Sequence, residues 1–441
     1  MAPIVYLPVE IKYREMPSRL LVASHLLQAG YAVMIGNHWA LATVVANQAA
    51  LPPGLFFFKS ANKLQGHIMQ ALRGHGHGVA ASDEEVLVFT EYNGYTVAFA
   101  ENAAAACELF FAQSEAHREA VERRFPHLAG KVKVAGNPRI DLMSPKNRAL
   151  FEAIDDRVAP LRPYILFNTN YGTINSVWGE RERAVAAGTG AFDGPDQNKK
   201  IAEYLAIRAW EESNRDAMVA LIKWTLANVS LNVVVRPHPA ELPEFWNEVL
   251  GGNPKGHLIA RSDPHPWILG AKLVVHTGCT TGLEALLLDI PVLNLLPRNH
   301  PNCGQIVREA NATVRNAEDA AKAMTSYLLE RKGPIAEHGD RAQAALDTHL
   351  PSYRDDAAAR LMAEGLVEEL QKRGARPRKD FKLNWRGQFT EPQRNAREKD
   401  KYTATEGEVR ADLNKAIAGA GLSVKANLST ICEGLFLATP H

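Results

Sequence analysis

Cysteine is scarce in this chain: Cys107, Cys279, Cys303 and Cys432 are the four among 441 residues. They are too few to staple a chain of this length and too scattered for the paired knuckles of a structural zinc site. No uninterrupted apolar stretch approaches the ~20 residues needed to cross a bilayer. The opening Met1-Ala2-Pro3-Ile4-Val5-Tyr6 lacks a basic segment ahead of an apolar one, so no signal peptide is read there. A surplus of charge is missing too. Fifty Lys and Arg face 49 Asp and Glu, a net charge of +1, which offers no global field for nucleic acid. There is no P-loop lysine motif, no HExxH and no GxSxG. Gly74-His75-Gly76-His77-Gly78 precedes a strand instead of following one, the wrong order for a dinucleotide fingerprint, and its two histidines have no further ligands in sequence. These absences predict a reducing, cytoplasmic setting with no metal and no resident cofactor.

What is present is alternation. Short apolar runs at 4–9, 31–35, 55–58, 78–81, 109–112 and 132–135 are separated by helix-like or polar sequence, and the pattern restarts at 164–167, 232–235, 258–260, 273–276 and 292–295. Continuous apolar strands divided by helices predict parallel sheets covered on both faces. A first helix is expected from an N-cap at Ser18 to a stop at Gly30, and a long one over 199–228. The breakers at 136–139 and 159–163 mark a boundary. The expected fold is α/β, with two doubly wound Rossmann-like domains facing a cleft and a C-terminal helical and basic extension. The expected bounds are 1–158 for an acceptor and catalytic domain and 159–335 for a nucleotide-sugar domain. Helices packing back on the domains are expected over 336–373, and a basic, partly helical extension over 374–441, with helices within 406–437. Ligands of such sheets lie beyond the carboxyl ends of the strands.

The richest segment for chemistry is Leu273 to Ala285, in which a buried strand ends at His276 and a helix begins near Gly282. Between them Thr277, Gly278, Thr280 and Thr281 offer hydroxyl and N–H donors for phosphate, and Glu284 stands within reach of a ribose hydroxyl. Simple capping of a core helix is the plain alternative. After another strand comes Arg236-Pro237-His238-Pro239. The prolines fix φ and orient His238 toward a phosphate oxygen, with Arg236 as a second anion donor. Asn168 and Asn170, after the strand at 164–167, complete a substrate-contacting loop. In the first half, Asp83, Glu84 and Glu85 follow a strand and are candidates for general base or nucleophile, with Glu10 next in line. Lys12, Arg14 and Lys59 are read as substrate contacts. Between 372 and 401 eleven basic residues face four acidic ones, a local charge of +7. With Trp385 and Phe389 this segment reads either as a solvated connector or as a peripheral tether to anionic lipid at the inner membrane face.

The combination of Val9-Glu10-Ile11-Lys12, Leu51-Pro52-Pro53-Gly54, Asp83-Glu84-Glu85, Gly136-Asn137-Pro138-Arg139-Ile140-Asp141 and the threonine loop resembles the bacterial surface carbohydrate (surface polysaccharide) biosynthesis proteins. The Arg-Pro-His-Pro turn and the threonine loop also resemble capsule enzymes of the GT-B class, Kdo transferases among them. The resemblance spans roughly 4–296. It implies a GT-B glycosyltransferase of polysaccharide or lipopolysaccharide synthesis, with nucleotide phosphate on His238, Pro239, Thr280 and Thr281. The donor it implies is a nucleotide sugar, CMP-linked Kdo or a related 2-keto sugar acid, and the acceptor a glycan or lipid-linked glycan. The alternative readings are a UDP-sugar epimerase or hydrolase of the same architecture, and a non-catalytic sugar-nucleotide-binding protein.

Overall fold

A computed structural model describes residues 2–41, 51–84, 99–151, 155–179, 182, 197–300, 303–350, 353, 357–379, 381–383 and 401–441. The chain forms two compact units, Met1–Phe151 with Leu350–His441, and Glu152–His349.

The first unit is built on an eight-stranded sheet. Its parallel strands are β1 (Ile4–Val9), β2 (Ala32–Asn37), β3 (Leu55–Phe58), β4 (Gly78–Ser82), β5 (Leu109–Ala112) and β6 (Val132–Val134). Their spatial order is β2-β1-β3-β4-β5-β6. β1 through β5 are buried along their whole length, as covering both faces of a parallel sheet demands. The order reverses between β1 and β3, the switch point of this sheet.

The first helix runs over Lys12–Gln28, not from Ser18. The Glu15 carboxylate reaches back to accept the Glu10 N–H at 2.7 Å and the Ile11 N–H at 3.2 Å. It thereby makes the reach-back contact of a capping box, to the N–H groups just ahead of the helix. Ser18 lies inside the helix, its hydroxyl donating to the Glu15 carbonyl at 2.9 Å.

The C-terminal segment departs most from expectation. Of 406–437, only Glu406–Gly419 is helical. Ala426–Cys432 (call it β7) and Leu435–Pro440 (β8) form an antiparallel hairpin, and β8 pairs antiparallel with β2. Close approach at this seam requires glycine, since a Cβ on Gly36 would stand 2.1 Å from the Gly434 carbonyl oxygen. The helix Ala358–Lys372 is anchored by Asp141, whose carboxylate accepts the N–H groups of Ala358 at 3.3 Å and Ala359 at 2.7 Å. Residues 401–441 are thus part of the first unit. Among the basic residues, Arg373 pairs with Glu108 and Glu369, and Lys401 pairs with Glu10. Trp385 and Phe389 lie outside the described residues. Among the described residues no helix is long and apolar enough to cross a membrane.

The second unit carries six parallel strands: β9 (Tyr164–Asn168), β10 (Asn232–Arg236), β11 (Gly256–Leu258), β12 (Ala271–His276), β13 (Val292–Leu295) and β14 (Ala312–Val314). Their spatial order is β14-β13-β12-β9-β10-β11, so this sheet reverses between β9 and β12. Ile165, Phe167, Val233, Val235, Leu273, Val275, Leu293 and Leu295 share one apolar core with Met218, Leu221 and Ile222 of the long helix Gln197–Asn228.

Candidate functional site

Strand register places a polar row across the carboxyl edge of the second sheet. Arg236, Asn168, His276 and Asn294 are successive partners on four neighbouring strands. Each alternates with residues of the long-helix core, so all four belong to the opposite face. All are buried, His276 and Asn294 completely. A polar layer where a sheet normally packs apolar side chains, at its switch point, is the signature of a binding edge.

Most of this layer is bound internally. The His276 Nδ1 accepts the Cys279 N–H at 3.1 Å. Burial brings its pKa down to about 4, with the Asn311 side chain opposing, so the ring is neutral and serves as a strut for the loop. The Gly278 N–H donates to Asn294 Oδ1 at 2.9 Å. The Thr277 hydroxyl is 2.7 Å from the Tyr171 hydroxyl and is buried. His276 and Thr277, expected as nucleotide contacts, instead shape the turn, because a loop leaving a parallel sheet must satisfy its own buried polar groups. Thr280 and Thr281 are half-exposed at the start of the helix Thr281–Leu287. Asn168 is different. It is 2% exposed, and neither its Oδ1 nor its Nδ2 has a hydrogen-bond partner among the described residues. An unsatisfied buried carboxamide costs about 1–3 kcal/mol, which makes Asn168 a candidate ligand contact.

Gly282 presses on the row from above. A Cβ there would lie 2.3 Å from His276 Nε2 and 2.8 Å from Asn311 Oδ1. Gly282→Ala is therefore expected to displace the imidazole and lower stability by about 1–3 kcal/mol. Urea unfolding checks this, and an unchanged midpoint would mean that the strut yields without cost.

Arg236 donates from Nη2 to the Ser262 carbonyl. His265 Nδ1 lies 2.6 Å from Asp263 Oδ1, and His265 Nε2 lies 3.9 Å from Glu284 Oε1. Glu284 is 2% exposed, so it belongs to this interior polar layer rather than to an open face. His238 and Pro239 are exposed. The His238 Nδ1 accepts the Ala240 N–H at 3.2 Å, which leaves the neutral ring's proton on Nε2. Asn170 is half-buried beside Asn168.

The first unit has its own ionic edge. Lys59, after β3, lies 2.7 Å from Glu15 and 3.1 Å from Glu10, while Lys401 lies 2.7 Å from the other Glu10 oxygen. Burial works against the Glu10 charge, but Lys59, Lys401 and His38 outweigh it and bring its pKa down to about 2. Such a carboxylate is a poor proton acceptor near neutrality, and in this structure Glu10 anchors Lys59 and Lys401. Lys59, expected as a substrate contact, is spent on these carboxylates, and Lys12 pairs with Glu408 at 3.1 Å. Arg14 is half-buried in the first helical turn.

Glu84 is also committed inward. Its Oε1 is 3.0 Å from Nη2 of Arg19, a fully buried arginine whose guanidinium stacks 4.2 Å above Phe57. Ser82 donates to the same oxygen at 3.2 Å. Asp83 is 5% exposed, with its carbonyl held by Gln113 at 2.6 Å. Glu85 lies outside the described residues. Among the described residues no group of three His, Cys, Asp or Glu is placed to hold a metal ion. Sequence reasoning missed Arg19, Asn294, Glu211 and Glu241. A polar residue interrupting an apolar run was the available signal for Asn294.

No family model matches the chain, and no curated protein matches it in sequence. Solved structures do match in fold. S. aureus MnaA, in a co-structure with UDP, is 12% identical, with 87% of this chain and 100% of that chain covered and a TM-score of 0.52. A UDP-N-acetylglucosamine 2-epimerase is 13% identical, with 85% and 97% covered and a TM-score of 0.52. The fold is the two-domain, Rossmann-like GT-B type. The likeness at this identity is one of fold.

Proposed function

We propose that this chain binds a UDP-sugar and acts on it as an epimerase or hydrolase of surface-carbohydrate precursor synthesis. The observation that carries the reading is the Asn168 carboxamide, buried without a partner in a polar row at the switch point of the second sheet. Nucleotides of doubly wound sheets bind at that position. Thr280, Thr281 and His238 are the phosphate contacts in this reading. Asp83, together with Glu85, is the carboxylate candidate for proton transfer at the sugar. Kdo transfer from a CMP donor, the leading expectation from sequence, draws no support from the structures above, whereas the epimerase alternative does.

Thermal melts with UDP, CMP, CDP and GDP test the reading. UDP at 100 times its dissociation constant is expected to add about 2.7 kcal/mol of stability, and His238→Ala to weaken its binding by about 1–3 kcal/mol. Proton NMR of UDP-N-acetylglucosamine incubated with the protein then reads inversion at C2 or release of UDP. Stabilisation by CMP alone would return the transferase reading, and UDP binding without turnover would favour the non-catalytic one.

A further inference from the structure

Glu241 is absent from every motif discussed so far, yet it joins three elements of the second unit. It is 1% exposed. Its Oε1 accepts the Thr169 hydroxyl at 2.7 Å and the His238 backbone N–H at 2.9 Å, and its Oε2 accepts the Trp246 indole N–H at 2.9 Å. The loop after β9 and the turn after β10 are stitched further by the Val177 N–H on the Ala240 carbonyl and the Leu242 N–H on the Asn175 carbonyl, both at 2.8 Å. Glu211, from the long helix, holds the same loop by accepting the N–H of Thr173 at 2.9 Å, its hydroxyl at 2.8 Å and the N–H of Ile174 at 3.0 Å. The hydroxyl contact of Tyr171 with Thr277 adds the threonine loop after β12.

We propose that Glu241 is a positioning residue for the nucleotide-sugar site, locking His238 and the Asn168-Thr169 segment into one geometry. This rests on the UDP-sugar reading and names the residue that prepares its two halves. A carboxylate is the side chain that suits the task. It supplies two acceptor oxygens to three donors, one from each element, where glutamine would turn an NH2 toward at least one of them. No ion pair joins Glu241 among the described residues, so its two oxygens are spent on these hydrogen bonds. A ligand that touches both His238 and Asn168 then meets a prearranged pair and has less ordering to do on binding.

Calorimetric titration of the full chain with UDP tests the proposal, comparing wild type with Glu241→Ala, Glu241→Gln, Thr169→Val and Thr169→Val/Glu241→Ala. Glu241→Ala is expected to weaken UDP at least tenfold, with part of the loss recovered by Glu241→Gln. The double variant should bind no more weakly than Glu241→Ala, because both changes cut the same link. Leu221→Ala, in the core away from these loops, should lower the melting temperature and leave UDP affinity unchanged. Should Glu241→Ala fail to fold, a clear loss of UDP affinity in Glu241→Gln, absent in Leu221→Ala, carries the same result. Wild-type affinity in either folded Glu241 variant, or additive losses in the double variant, overturns the proposal and leaves Glu241 a folding residue. A wild-type chain that ignores UDP overturns the nucleotide reading itself, and this inference with it.

Discussion

Arg19→Ala is expected to cost about 3–5 kcal/mol of stability, the penalty for leaving a buried charge without its partner. The residue abandoned is Glu84, 3% exposed and 3.0 Å from the guanidinium. Restoring neutrality separates charge from packing. Arg19→Met with Glu84→Gln keeps most of the volume and removes both charges, so it is expected to regain most of the loss. Urea unfolding measures both. A midpoint for Arg19→Ala within about 0.5 kcal/mol of wild type, the range of ordinary surface changes, would show that the pair contributes nothing. The same variants bear on chemistry, because Glu84 stands next to Asp83 at the end of β4. If Glu84→Gln loses activity and stability together while Asp83→Asn loses activity alone, Glu84 is the anchor and Asp83 the reactive carboxylate.

Phe436→Ala should be comparably damaging, at about 3–5 kcal/mol for an aromatic side chain removed from a core. Phe436 is 1% exposed on β8, paired with Ile35 of β2. The residue lies near the end of a segment that sequence read as a basic, partly helical extension. A chain ending near Gln371 would lose this strand, the pairs of Lys401 with Glu10 and Glu408 with Lys12, and the cover over one edge of the first sheet. Its expected behaviour is aggregation through the uncovered β2 edge, seen as loss of soluble monomer on size exclusion. A monomeric truncated chain with a wild-type melt would place the hairpin outside the folding unit. Any measurement of vesicle binding by that truncated chain has to be read beside this folding effect.

The strands were legible because their signal is local. Leu55–Phe58, Leu109–Ala112 and Val292–Leu295 fall where the apolar runs begin and end, and β11 is displaced by two residues, to Gly256–Leu258. Sequence places the start of the first helix too late because no Ser or Asp precedes Lys12, and the contact that fixes the start comes back from Glu15, the fourth residue of the helix. The terminal hairpin reads as helix in sequence because Leu435-Phe436-Leu437 is a short apolar run, and such a run does not announce its period. Only pairing with β2 makes it a strand.

Sequence by itself therefore determined the α/β class, two sheet-forming halves and the loops that carry His238, Thr280 and Thr281, all features written in neighbouring residues. Tertiary structure decided which polar residues face one another and which is left without a partner. Glu10 meets Lys401 across 391 positions, Glu84 meets Arg19, and Thr169 meets Glu241, while Asn168 is left unsatisfied. The physical reason is that a charge or an amide is assigned its role by what desolvates and pairs with it. Those partners come from other strands and helices, at separations that a reading of local pattern does not reach.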